Sequence, residues 1–170
     1  LWQDTELSVR DFDGLFSKIS PQVPVRFLFA QCYSGAFSRL IYEQTEPSNG
    51  VSGAQRCGFL AASAHEQSDG CSASLKLGDY RDYTTHFFAA YSGNTIHGDS
   101  VQDRPDVDMD GQFTLFDAHL FALTNGFSRS VPRSTSETFL EDWQPWYLRW
   151  MDTGATPDNI YSKLAENSAE

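Results

Sequence analysis

Pro21 and Pro24 precede a run, Val25-Arg26-Phe27-Leu28-Phe29-Ala30, that closes on Gln31-Cys32-Tyr33-Ser34-Gly35-Ala36-Phe37. No other stretch constrains the fold as much. The run is too short for a buried helix and too apolar for a strand with one wet face, so it reads as a central strand of a parallel sheet entering a tight turn. Cys32 then sits at the strand's carboxyl end, where open α/β sheets bind their ligands. Phe37, Leu40 and Ile41 recur at helical spacing, which predicts a helix over 35–46 with its N-terminus beside the thiol. Such a terminus lowers a thiol pKa and offers N–H groups to a developing oxyanion, so the position suits a nucleophile. The competing reading is a buried structural cysteine, since Cys is among the most buried residue types. The small, turn-compatible Ser34 and Gly35 favour the nucleophile, because an inert cysteine belongs inside the apolar run.

The flanking segments supply the architecture. Ser8 opens a helix with Val9, Phe12, Leu15, Phe16 and Ile19 on one face and Asp11 three residues after the cap, and this helix ends before Pro21. A second apolar strand is predicted at 57–62, after a loop over 46–54 rich in Ser, Gly, Asn and Pro. Helix, strand, helix and strand in this order build right-handed crossovers, so the fold class is α/β with a mostly parallel sheet. The polar loop after the second strand, from Ser63 to Cys71, starts at the carboxyl end of a neighbouring strand and is expected to line the same cleft as Cys32. Further helices are predicted at 83–92, with Phe87, Phe88 and Tyr91 inward, His86 on the surface and Gly93 as the stop, and at 115–125.

An apolar strand ending in x-Cys-x-Ser-Gly, followed about two dozen residues later by a strand ending in Ala-Ser-Ala, resembles the caspase and legumain superfamily of cysteine peptidases. The likeness is to its bacterial legumain-like and caspase-like members and covers residues 1 to about 93, with a looser match beyond. It implies a three-layer αβα domain in which Cys32 attacks a peptide carbonyl and a histidine, from a His-Gly pair at the end of the preceding strand, moves the proton. The family's loop after the second strand shapes the pocket for the residue before the scissile bond, so the resemblance implies that Ser63 and His65, with Ala30 and Gln31, contact substrate. A solvated loop histidine is the competing reading of His65. Ala30 stands where caspases carry Gln, legumains Glu and metacaspases Asp, so no charge preference carries over. Gln31 points to the strand's other face.

The family's histidine has no counterpart upstream of Cys32: His65, His86, His97 and His119 all follow it. His97-Gly98 matches the dipeptide only as letters, since it lies in a Gly- and Asp-rich loop after the nucleophile. Leu1-Trp2-Gln3-Asp4 begins where the family's chain has just left the histidine loop, so the sequence is expected to be the C-terminal part of a peptidase domain, inactive alone. On this reading 1–127 belong to the domain, while 128–170 are a linker and a helical tail packed on it, with Trp143, Trp146 and Trp150 near helical spacing around Pro145.

A second motif spans 106–117. Asp106, Asp108 and Asp110 stand at loop positions 1, 3 and 5, Gly111 at 6, Gln112 at 7, Thr114 at 9 and Asp117 at 12, which are the ligand positions of a twelve-residue Ca²⁺ loop. It resembles one EF-hand or dockerin loop leading into a helix. Asp117 replaces the usual bidentate Glu, and the segment before Asp106 does not read as a helix, so affinity is expected to be modest and the role a structural clip. An acidic surface turn is the competing reading.

At 170 residues and 40% hydrophobic the chain can bury one sizeable core. A formal net charge of -11 disfavours nucleic acid and anionic membranes, which call for clustered Lys and Arg. A peptide or protein substrate and cations fit better, and no stretch is apolar enough to span a bilayer. Three cysteines make no disulfide framework; Cys57 and Cys71 read either as a pair or as two thiols. Two other functions stay open. Ala30-x-Cys32-x-Ser34 also fits the small-x-nucleophile-x-small elbow of an α/β-hydrolase, with downstream histidines, and a non-catalytic, Ca²⁺-binding peptidase-like interaction module needs no histidine at all.

Overall fold

A local signal sets the first helix. Ser8 caps α1 (Val9–Phe16): its Oγ accepts the Asp11 N–H at 3.3 Å, and the Asp11 carboxylate accepts the Ser8 hydroxyl at 2.6 Å and N–H at 2.7 Å. This is a capping box. The hydroxyl bond first, and the backbone bond second, hold the Asp11 carboxyl below its ordinary range. Val9, Phe12 and Phe16 face the sheet. Leu15 and Ile19, expected on the same face, are instead 49% and 39% exposed. The helix stops at Phe16, so Ile19 leaves the stripe, and Leu15 sits beside the i, i+3, i+7 line of its neighbours.

The structure is a computed structural model that describes residues 7–68, 82–101, 106, 109–126, 128 and 130–143. Its sheet runs β1 (Val25–Phe29), β2 (Arg56–Leu60), β3 (Arg133–Ser134). β1 and β2 are parallel, with Phe27 opposite Gly58, Leu28 opposite Phe59 and Phe29 opposite Leu60. β3 is antiparallel to β2, so the expected α/β class holds with one parallel pair. Arg133 and Ser134, which fall in the stretch from residue 128 read as a linker, form a strand of the sheet. The Gly58 N–H donates to Thr135 Oγ1 at 3.1 Å, and the Ser130 hydroxyl donates to the Ala61 carbonyl at 3.3 Å. An Arg-Ser dipeptide has no apolar alternation to announce a strand, and only its pairing with β2 defines it.

Alternation along the strands sends side chains to two cores. Phe27, Phe29 and Leu60 pack with α1 and with Phe37 and Leu40. Phe12, Phe29 and Phe37 form an aromatic cluster, with ring centroids 5.0 Å (Phe12–Phe29), 5.3 Å (Phe12–Phe37) and 4.3 Å (Phe29–Phe37) apart. Leu28, Phe59 and Ala61 pack with α2 (Tyr83–Ser92) and α3 (Leu115–Asn125). Both helices have the bounds read from the sequence, and Gly93 at φ 78° ends α2 as expected. Tyr83, not Phe88 or Tyr91, is the second buried ring of α2; Phe88 and Tyr91 are about half exposed. The Tyr83 hydroxyl and His119 Nδ1, 2.8 Å apart, make a buried polar contact between the two helices. Asp13 of α1 and Arg56 of β2 form an ion pair at 2.5 Å.

The chain divides into two compact units, Leu1–Thr135 and Ser136–Glu170. α4 (Thr135–Asp142) begins at that boundary and Trp143 follows it, exposed. Trp146, Trp150 and the rest of the tail lie outside the described residues. Among the described residues no helix is long and apolar enough to cross a membrane.

Candidate functional site

Cys32 stands three residues beyond the end of β1, and the loop after β2 clasps the residues that follow it. Tyr33 takes a left-handed conformation (φ 59°, ψ 19°), and its N–H donates to the Glu66 carbonyl at 2.8 Å. Ser34 is fully buried; its Oγ accepts the Ala62 N–H at 3.0 Å and donates to the Ala62 carbonyl at 3.3 Å. Gly35 lies so close to the next turn that a Cβ on it would fall 2.3 Å from the Ala64 nitrogen and 2.5 Å from the Ser63 carbonyl carbon. Cys32 Sγ itself is 3.9 Å from the Ser68 carbonyl oxygen. The loop from Ser63 to Cys71, expected to line a cleft with Cys32, thus reaches it at Ser68, and its residues 69–71 lie outside the described residues. Ser63 is half-buried, and its hydroxyl accepts the N–H of the exposed His65 at 3.3 Å. The sequence marked Ser34 and Gly35 only as turn residues, because their partners lie about thirty positions away.

The α-helix expected over 35–46 is not formed. A 3₁₀ helix, Ser34–Ile41, takes its place, followed by short 3₁₀ turns at Glu43–Thr45 and Pro47–Asn49. Ser34 and Gly35 fix the first turn against residues 62–64, and the tighter three-residue repeat eclipses Phe37 and Leu40 on the side of the core. Loop-to-loop bonding, not an α-helical terminus, is what organises the thiol's surroundings. The positive φ falls on Tyr33 and not on Cys32, so the strained residue of a hydrolase elbow does not coincide with the cysteine.

The histidines are dispersed. His119 is buried between α2 and α3, His86 is half-buried on α2 and not on the surface, and His97 is exposed in the turn after α2. Only His65 lies in a loop that follows a strand. Ala30 and Gln31 are both exposed. Ala30 also lines an open cleft of about 590 Å³, together with Leu28 of β1, Phe88 and Ala89 of α2, and Ile96.

The 106–117 loop is partly described. Asp106 Oδ1 accepts the Asp110 N–H at 3.0 Å and Oδ2 the Gly111 N–H at 2.6 Å, while Asp110 Oδ1 accepts the Gln112 N–H at 2.7 Å. Gly111 has φ 82°, the sharp turn expected of loop position 6. The last two expected ligands are engaged elsewhere. Thr114 and the buried Asp117 form the capping box of α3, with Asp117 Oδ2 accepting the Thr114 N–H at 2.7 Å and hydroxyl at 2.9 Å. Asp108 lies outside the described residues, among which no three His, Cys, Asp or Glu side chains gather as a metal-ligand set.

Cys57, half-buried in β2, is a contrasting thiol; its conceivable partner Cys71 lies outside the described residues. Burial pushes its pKa up from the ordinary thiol range, while nearby Arg26 opposes the rise. The neutral thiol is favoured by the fold, so this contribution is complete below the ordinary thiol pKa and is lost as pH rises towards the raised one. Alkylation of Cys57 should therefore be slow at neutral pH and reach half its limiting rate at a higher pH than an ordinary exposed thiol does, as peptide mapping after timed alkylation would show.

Comparisons with protein-family models, with curated proteins and with solved structures give no match to this chain.

Proposed function

We propose that the chain is part of a cysteine endopeptidase of the caspase and legumain type, with a three-layer αβα domain and Cys32 as nucleophile. The observation that carries this reading is the clasp of residues 62–66 on Tyr33, Ser34 and Gly35, which fixes the thiol just beyond the carboxyl end of a parallel strand. A histidine from the part of the domain N-terminal to Leu1 takes the thiol proton as Sγ bonds to the peptide carbonyl carbon, and returns it to the amine as the C–N bond breaks. Water then hydrolyses the thioester. The Cys32 N–H and that of the histidine-loop glycine hold the oxyanion. Ala30, Gln31, Ser63 and His65 contact the peptide.

Peptide cleavage needs a proton delivered to a poor leaving group, whereas alkylation of a thiol does not. Residues 1–170 are thus expected to be alkylated at Cys32 yet to leave a diverse peptide library intact. The polypeptide lengthened through its upstream His-Gly strand end should cleave, and Cys32→Ala should abolish that cleavage. Cleavage by residues 1–170 that stops with His65→Ala would move the base to His65. A folded, lengthened polypeptide that cleaves nothing would leave the interaction module as the better reading.

A Ca²⁺ clip at the 106–117 loop is supported by the left-handed Gly111 and by the Asp106 bonds to the two N–H groups ahead of it. Asp106, Asp108 and Asp110 would hold the cation with backbone oxygen from Gln112, and it would supply local charge balance, not chemistry. Ca²⁺ at about 100 times its dissociation constant should stabilise the fold by about 2.7 kcal/mol. Asp106→Ala with Asp110→Ala should remove the accompanying rise in melting temperature, and a melting curve indifferent to millimolar Ca²⁺ would retire the clip.

A further inference from the structure

The cleft between α2 and the end of β1, about 590 Å³, falls within the roughly 300–1,000 Å³ of small-molecule sites. Thr84, Thr85, Phe88, Ala89 and Ser92 line it, and helix positions i, i+1, i+4, i+5 and i+8 make one stripe. The cleft therefore runs the length of α2, from the cap residue Asp82 to the turn that carries Ile96. Leu28 of β1 and Ala30 just after it add apolar lining. Phe88 and Ile96 are each about half exposed. Scattered apolar side chains on a surface carry no message, but these border the same hollow.

Charge distinguishes one end of this cleft. Asp82 is the one charged residue among the described residues that line it. Its Oδ1 accepts the Thr85 N–H at 2.9 Å and the Thr84 hydroxyl at 2.5 Å, and its Oδ2 accepts the Thr85 hydroxyl at 3.2 Å. A hydroxyl has one proton to donate, and both threonines direct theirs to Asp82, so what they present to a ligand is lone pairs. Carboxylate and hydroxyl oxygens together make an acceptor site with a full negative charge. The N-terminus of α2 carries about half a positive charge, which the carboxylate outweighs, and the cap has already taken the Thr85 N–H. A cationic donor, not an anion, suits this end. Asp82 and Phe88 are about 9 Å apart along the helix axis, and helical aromatic side chains lean back towards the N-terminus, so one small molecule can reach both.

We propose that the cleft binds a small organic cation: an ammonium group that donates to the oxygens of Asp82, Thr84 and Thr85, carried on an aromatic or branched aliphatic body that covers Leu28, Phe88 and Ile96. The body buries apolar surface that the fold leaves in water, and the ammonium finds acceptors whose own protons are already committed. A net charge of -11 favours the arrival of such a ligand over that of an anion. The site is independent of the peptidase reading, and either can fail without the other.

Ligands of one shape and different charge test it: 2-phenylethylammonium, the neutral 2-phenylethanol and the anion phenylacetate. With binding followed through backbone amide shifts, the cation should saturate with changes at Leu28, Thr85, Phe88 and Ile96. It should bind about fivefold tighter than the alcohol at low ionic strength and lose part of that margin in high salt. Phenylacetate should leave these amides unmoved. Asp82→Asn removes the charge but keeps a side chain that caps a helix as well as Asp does, so it should erase the preference for the cation while α2 stays folded. Phe88→Ala, at a half-exposed position, should weaken cation and alcohol alike. Ile96→Lys puts a like charge at the rim without touching the cap, and it should weaken the cation alone. A cation that does not bind, or that saturates elsewhere in the protein, would overturn the proposal. So would equal or tighter binding of phenylacetate, or a preference for the cation that survives both Asp82→Asn and Ile96→Lys.

Discussion

Gly35→Ala is expected to destabilise the protein by about 3 kcal/mol, the upper end of what overpacking costs, because the obstruction is backbone. The new Cβ would sit 2.3 Å from the Ala64 nitrogen and 2.9 Å from Ser63 Cα, neither of which can rotate away. Relief requires the Ser63–Ser68 stretch to lift, which also breaks the Ser34–Ala62 and Tyr33–Glu66 bonds. Gly14→Ala is the matching control, since a Cβ there meets nothing within 4 Å and alanine favours the middle of a helix by about 1 kcal/mol. Urea denaturation of both variants checks the pair. A Gly35→Ala protein as stable as its parent would mean that the two turns do not touch as described.

Asp13→Ala should cost about 2–3 kcal/mol. The Arg56 side chain is only 7% exposed, and its guanidinium is held by Asp13 at 2.5 Å and the Leu40 carbonyl at 3.2 Å, over the Phe16 ring. Removing the carboxylate leaves a buried cation with one neutral acceptor, and breaking a buried pair in this way typically costs about 3–5 kcal/mol. The lower figure applies because Asp13 is 26% exposed and water can replace part of it. Arg56→Met added to Asp13→Ala should recover much of the loss, because no charge is then stranded. A double variant no more stable than Asp13→Ala would show that the arginine's packing, not its charge, is what the fold needs.

What the sequence made legible is what is encoded over a few residues. The Ser8–Asp11 box, the limits of α2 and α3, Gly93 and the left-handed Gly111 all follow from caps and turn chemistry within one or two helical turns. β1 and β2 were visible as apolar runs, and with them the meeting of Cys32 with the loop after β2. The misread features depend on distant partners. Gly35 becomes a contact point only because Ser63 and Ala64 lie against it, and that contact turns an apparent α-helix into a 3₁₀ one. Arg133 and Ser134 become a strand only through β2. Thr114 and Asp117 satisfied two patterns at once, a Ca²⁺ loop and a capping box, and letters alone do not rank them.

The clasp on the cysteine turn also sets a schedule for synthesis. Ser34 waits for Ala62, 28 residues further along, and Tyr33 for Glu66. Closing such a span costs chain entropy that only β1–β2 pairing returns, and parallel pairing is slow to form. At roughly 5–20 residues per second the ribosome adds the missing stretch within a few seconds, and until it has emerged Cys32 hangs on a chain with no turn to orient it. A ribosome stalled before residue 62 thus displays an ordinary flexible thiol, open to any oxidant, and the fixed surroundings of Cys32 cannot exist before the second strand has been made.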